Sequence, residues 1–342
     1  MITLPYLLQK ENICRFEDAT FFIGDRRVFP FEKAFVQCFS VEEIAESLKK
    51  MVTQGGGPLQ VALTTLSYCG HRMEQGTMNA NISTFSEAVA CLVSARPTNT
   101  TMARVLVELL EQITLLFQKN GTIHDIARAI DDLVLEKERY FDNIYHFMGQ
   151  LGSSLLTNGD TILTTCFAEH TFLLSLAYAK EAGKEVSVLA CETRPYLQGA
   201  RLTAPSLREL GIPVKLITDG MGANLLSRGK VNLYFTAADV VCMDGTVVNK
   251  IGTLSNAIAC AYYHIPYYAF SISPDRTKLD SSTLQIEERS GREVTHCLGS
   301  RITEEGIEAL YPSFDIVPHS LVEGLVTPKG ILKPSDLSGA YL

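Results

Sequence analysis

The chain has 342 residues, 46% of them hydrophobic and 20% charged, with a formal net charge of -8. That length suits two domains with sizeable cores, and that composition excludes a disordered chain. The acidic balance excludes a nucleic-acid platform, which needs a basic stripe, yet one or two local cations could still hold a phosphate.

The opening stretch, MITLPYLLQKENICRFED, has neither a basic start nor a long apolar region, so no signal peptide is expected. Residues 1–40 read as short extended pieces, with apolar and polar residues alternating through TFFIGDRRVFPF. Helical patterns follow. Ser40-Val41-Glu42-Glu43 is a capping-box start and predicts a helix to about Thr53; Thr84-Phe85-Ser86-Glu87 predicts the opening of another. The amphipathic run MARVLVELLEQITLLFQKNG stops at Gly121. From Ile123 to about Leu151 the periodicity predicts one long helix with Ile126, Ile130, Leu133 and Leu135 on its inner side. A mostly helical N-terminal domain over residues 1–150 is the expectation.

After Gly152 the rhythm changes. The β-rich runs TILTTC, VSVLAC, VKLITD, LYFTAADVVCMD and PYYAFSI alternate with helical patterns. Such alternation implies right-handed crossovers and a parallel sheet, so residues 151–342 are expected to form a Rossmann-like α/β domain. Ligands of such sheets sit beyond the carboxyl ends of the strands. Those ends carry Cys166, Cys191-Glu192, Asp219 and Asp239. The longest apolar stretch, Asn256 to Ser273, is interrupted by His264 and Pro266 and does not support a membrane span. The nine cysteines are scattered and include no CxxC pair, which fits reduced thiols in a cytoplasmic protein.

Several motifs carry possible chemistry. TQGGGPL, Thr53 to Leu59, is a Gly-rich turn between two helices, with Pro58 suited to a first helical turn. It reads equally as an anion seat made of backbone amides and as a connector. DGMGANLL, Asp219 to Leu226, offers two glycines, but Leu225 stands where a dinucleotide fingerprint needs a small residue. A helix-opening turn fits it better. Cys166 precedes a predicted helix near Glu169, whose N-terminus would lower the thiol pKa; an inert buried cysteine is the bland alternative. His170 could pair with it or supply half a metal site, but no second ligand pair has metal-like spacing, so no metal is expected. Asp239 ends an apolar strand, where desolvation would raise its pKa toward acid chemistry. Lys250 stands just before a helix, a place the helix dipole disfavours for a cation, and that conflict points to a function.

ETRPYLQGARLT, GIPVKLITD, AADVV…DGTVVNKIGT and HIPYYAF together resemble the methylthioribose-1-phosphate isomerase family. That family is homologous to ribose-1,5-bisphosphate isomerases and to the regulatory subunits of the exchange factor for initiation factor 2. The resemblance runs from about Thr161 to Ser273, is fair around SARPTNT (Ser94–Thr100), and is weak before residue 40. It implies Cys166 and Asp239 as the catalytic pair and Arg96, Gln198, Asn249 and Lys250 as substrate contacts. It also implies a homodimer and needs no cofactor. The regulatory subunits generally lack the catalytic pair.

The chain departs from the pattern at three places. The family's Arg-Gly-Ala loop is here Gln54-Gly55-Gly56; the residues after the cysteine are Phe167-Ala168-Glu169 in place of Asn-Ala-Gly; and Cys191 replaces an acid before the ETRP motif. These changes leave the sugar open between 5-methylthioribose 1-phosphate and 5-deoxyribose 1-phosphate, by-products of nucleoside salvage. Lacking a polar C5 group, both want an apolar pocket there, and Phe167 could supply part of it. A ribose-1,5-bisphosphate isomerase would need an extra cation that Gln54 does not provide. A non-catalytic sensor of sugar phosphate or nucleotide is the remaining alternative. Arg194 and Arg201 are expected to brace their loop by pairing with Glu192 or another acid.

Overall fold

The computed structural model describes residues 2–97, 99–119 and 121–341. Two compact units emerge: one covers Tyr6–Asn143, and the other is built on the chain from Ile144 onward with the residues up to Pro5.

The first unit opens with α1 (Lys10–Ile13) and the antiparallel strands β1 (Cys14–Glu17), β2 (Thr20–Gly24) and β3 (Phe35–Cys38). Helices then follow: α2 (Val41–Lys49), α3 (Gly57–Glu74), α4 (Ile82–Ala95), α5 (Thr100–Gln118) and the start of α6 (Ile123–Ser154). Ser40 caps α2 by accepting the amide of Glu43, as its sequence suggests, while the Glu43 carboxylate reaches back to the amide of Phe39. The helix stops at Lys49 rather than near Thr53, because Met51 turns into positive φ (58°). α4 begins earlier than Thr84 implies. Asn81 is its cap and accepts the Thr84 amide at 3.1 Å, in keeping with the strong preference for Asn there.

On α6, Ile126, Ile130 and Val134 recur every fourth residue and are buried, whereas Leu135 is 41% exposed and Leu133 only partly covered. With 3.6 residues per turn, Leu133 falls just beyond the edge that Ile126 sets, and Leu135 falls on the side of the helix away from Ile126 and Ile130. Val134 is the inner residue, and burying each such side chain contributes about 1.5–3 kcal/mol.

The second unit is an α/β domain. Its strands are β4 (Thr161–Thr164), β5 (Ser187–Cys191), β6 (Val214–Ile217), β7 (Leu233–Ala237), β8 (Val240–Val241), β9 (Val247–Lys250) and β10 (Tyr267–Phe270). Further on come β11 (His296–Cys297), β12 (Ser300–Arg301), β13 (Phe314–Val317), β14 (Gly324–Thr327) and β15 (Gly330–Leu332). The main sheet has the order β15-β14-β10-β7-β4-β5-β6, parallel except for the β15 edge. Ile162, Leu163, Tyr234 and Phe235 in its middle are wholly buried. Strands covered on both faces read as unbroken apolar runs, which is why these were legible.

The chain leaves β4 toward β5 and β6 on one side, while β7 is followed by β10 and β14 on the other. The order therefore reverses between the paired neighbours β4 and β7, and the carboxyl ends of strands at such a switch point are where open α/β sheets bind ligands. A smaller antiparallel sheet, β13-β9-β8, joins the two strands that follow β7 to the much later β13.

Candidate active site

Cys166 leaves β4 in a left-handed conformation (φ 69°) and is half-buried. Its N–H donates to the Thr193 hydroxyl at 2.9 Å, and its carbonyl accepts from the Thr203 hydroxyl at 2.6 Å. Burial pushes the thiol pKa up to about 11; the Lys250 ammonium opposes that rise, and the carboxylates of Asp239 and Asp219 add to it. The thiol pKa is thus raised and not lowered as a place before the next helix, α7 (Glu169–Glu181), suggested, because burial penalises the thiolate. His170 stacks on Tyr145 with ring centroids 4.7 Å apart, and the nearest charge to it is Glu169 at 3.8 Å. Among the described residues no group of three or more His, Cys, Asp or Glu side chains could hold a metal ion.

The ETRPYLQGARLT loop leaves β5, the neighbour of β4. Thr193 and Leu197 also hold positive φ, and the Arg194–Pro195 bond is cis. Asp219, just beyond β6, accepts the amides of Thr193 at 2.8 Å and Arg194 at 2.7 Å. Arg194 donates to the carbonyls of Pro195, Val294 and His296, and Arg201 to that of Tyr196. Main-chain oxygens thus brace the loop through its arginines, an acid (Asp219) holds two of its amides, and the Arg194 charge opposes the rise that burial imposes on the Glu192 pKa. Gln198 is 2% exposed. It leads into a π-helical turn, Gly199–Thr203, of the kind that recurs at functional sites. Gly199 is obligatory here, since a Cβ would stand 1.7 Å from the Cys191 carbonyl oxygen.

Asp239 follows β7 directly. Its amide donates to the Val248 carbonyl at 2.9 Å, which ties it to β9, the strand of Asn249 and Lys250. Asp239 is exposed, so the desolvation suggested by its apolar neighbours in sequence is not what its position supplies. Asn249 is buried and donates to the Thr253 hydroxyl at 3.0 Å. Lys250 is 5% exposed, with its ammonium 4.4 Å above the Phe314 ring and no carboxylate at ion-pair distance among the described residues. The amides that open α10 (Thr253–Tyr262) are taken by Asp315, which accepts from Gly252 and Leu254. That carboxylate offsets the dipole conflict read at Lys250. The carboxyl ends of β4 and β7 thus lead to a thiol and an exposed carboxylate, with the sheltered Lys250 ammonium close enough to act on the thiol.

The other unit holds the remaining candidates. Gln54 is buried and its carbonyl accepts from Arg26, while Gly55 is exposed at φ 64°. Gly56 precedes α3 with no side-chain cap, but the Gly57 amide is spent inside the turn on the Gln54 carbonyl. Arg96 ends α4 and reaches the Met51 sulfur at 2.8 Å, so it sits beside the start of the Gly-rich turn. Thr98 of the RPT motif lies outside the described residues.

A parallel α/β sheet with chemistry-bearing side chains at its switch point is the architecture of a small-ligand site. The chain belongs to the initiation factor 2 subunit family, whose profile matches residues 60–334. Within that family it is similar to curated proteins named methylthioribose-1-phosphate isomerase. The one from Thermotoga neapolitana is 35% identical over 320 residues, covering 91% of each chain. The one from Pelotomaculum thermopropionicum is 34% identical over 324 residues, covering 91% of this chain and 87% of that relative. Two solved structures superpose closely. Subunit delta of the translation initiation factor eIF-2B from A. fulgidus does so with a TM-score of 0.80 at 26% identity, covering 98% of this chain and 97% of that one. The 5-methylthioribose 1-phosphate isomerase from Pyrococcus horikoshii gives 0.79 at 27% identity, covering 96% and 93%.

Proposed function

We propose that the chain is an aldose–ketose isomerase acting on a ribose 1-phosphate whose C5 carries no polar group, either 5-methylthioribose 1-phosphate or 5-deoxyribose 1-phosphate. The product is the matching ribulose 1-phosphate. The observation that carries the reading is Lys250: a cation sheltered from water and, among the described residues, at ion-pair distance from no carboxylate is costly unless an anion joins it. A phosphate ester placed there has the Cys166 thiol and Asp239 within the same electrostatic neighbourhood.

An aldose 1-phosphate cannot open without help, because its anomeric carbon is esterified. Asp239 as general acid protonates the ring oxygen, and the C1–ring-oxygen bond breaks to leave a cation at C1 that keeps its phosphate. A hydrogen then passes from C2 to C1, and the C2 hydroxyl returns its proton to Asp239, which leaves a ketone. Burial keeps the thiol protonated at neutral pH. A hydride shift that Cys166 shields therefore fits the site better than a thiolate taking the C2 proton. Gln198 and Asn249 hold sugar hydroxyls, and Lys250 holds the phosphate. Arg96 and the Gln54-Gly55-Gly56 turn, in the other unit, are further candidate anion donors by the family resemblance alone. The enzyme would work in the cytoplasm as a homodimer, without cofactor.

The test is turnover of three purified sugars, followed by NMR for the ketose. We expect conversion of 5-methylthioribose or 5-deoxyribose 1-phosphate and little of ribose 1,5-bisphosphate. Binding of all three without conversion would point to a sensor instead.

A further inference from the structure

Left-handed backbone is uncommon for residues other than glycine, asparagine and aspartate, and for a β-branched residue it is an outlier. Cys166 holds φ 69° and Thr193 holds φ 65°, one on each of the two loops leaving the paired strands β4 and β5. Such conformations persist only where the surroundings over-determine them. At Cys166 the determinants are two hydroxyls. Thr193 Oγ1 accepts its N–H at 2.9 Å and itself donates to the Cys191 carbonyl at 3.1 Å. Thr203 Oγ1 donates to the Cys166 carbonyl at 2.6 Å. Both threonines are fully buried. Thr193 is fixed in turn by Asp219, and Thr203 by the π-helical turn that begins one residue after Gln198.

We infer that Thr193 and Thr203 are positioning residues for the reaction, a pair of hydroxyls that clamps the peptide of Cys166 from either side and so fixes the direction of its thiol at the switch point of the sheet. The inference rests on the reading of Cys166 given above. It adds that the aim is set by the β5 loop and not by the strand that carries the cysteine. Because Thr203 lies five residues after Gln198, one turn of that loop serves both the sugar contact and the thiol.

Valine keeps the shape and β-branching of threonine and removes only the hydroxyl, while serine keeps the hydroxyl. Thr193→Val and Thr203→Val should each lower kcat, by about a hundredfold if the thiol moves by about an ångström, with KM little changed; the Ser variants should stay close to the parent. A second readout needs no turnover: alkylation of Cys166 by iodoacetamide against pH, followed by mass spectrometry of its peptide. Its midpoint should lie at about 11 in the parent protein. It should fall toward the ordinary thiol range in the Val variants, as the released peptide lets the sulfur reach water. An unchanged alkylation profile in the Val variants overturns the proposal, and so do Ser variants as impaired as the Val ones. If Thr193→Val does not fold, Thr203→Val carries both readouts. Should the parent protein convert none of the sugars, the isomerase reading fails, and alkylation still decides the clamp.

Discussion

Cys166, Thr193 and Leu197 each hold a positive φ, at 69°, 65° and 59°, within two loops that leave adjacent parallel strands. Strain of that kind costs on the order of 1–3 kcal/mol per residue and gathers where geometry matters more than stability. On the proposed mechanism, Cys166→Ser shortens and hardens the group that would face the sugar, and Asp239→Asn removes the proton to be transferred while keeping the shape. Each should cut turnover by roughly 10²–10⁴-fold, with thermal unfolding of Asp239→Asn close to the parent because that side chain is exposed. A variant with full turnover would remove its residue from the mechanism. Cys166 and Asp239 were visible in the sequence because each closes an apolar run at a strand end. Thr193 and Thr203 were not, since a hydroxyl inside a polar loop has no spacing that announces its partner. Asp315 was hidden for a different reason: it reaches the start of α10 only after β13 has paired with β9.

At the scale of elements, periodicity located the helices and local chemistry set their ends. The long helix α6 was expected and found, but its inner face was read one residue off, with Leu135 in place of Val134. In a run such as Leu133-Val134-Leu135 every member is apolar, so composition does not choose between them, and only the angle each makes with Ile126 and Ile130 does. Stability measurements should separate them. Ile130→Ala removes a fully buried side chain and should cost about 2–5 kcal/mol in urea unfolding. Leu135→Gln, on the exposed side, should fall within about 0.5 kcal/mol of the parent. Equal losses at the two positions would refute this assignment of the helix face. The strands fared better, because a parallel sheet covered on both faces leaves little ambiguity in sequence. The smaller β13-β9-β8 sheet went unseen: its strands are short, and β13 lies far along the chain from the two it joins.

Across the whole molecule, buried thiols make stability depend on pH in one direction. Burial pushes Cys14, Cys69 and Cys260 up to about 12 and Cys166, Cys191 and Cys242 up to about 11. A group whose folded pKa is raised contributes stability below its unfolded pKa and loses it as pH climbs through the folded value. The unfolded chain releases these protons near pH 9, the ordinary thiol value, while the folded chain keeps them. The melting temperature should hold steady to about pH 8 and then fall progressively between pH 9 and 12. Replacing Cys260 by alanine should shallow that fall, whereas a slope identical to the parent would show that other groups control it.

The sheltered ammonium of Lys250 has a consequence for handling the protein. A tetrahedral oxyanion as plain as sulfate would find there the same buried cation that the proposed sugar ester would find. Buffers of phosphate or ammonium sulfate would then compete for the seat, so that a purification chosen for solubility could deliver the catalyst already occupied and seemingly inert.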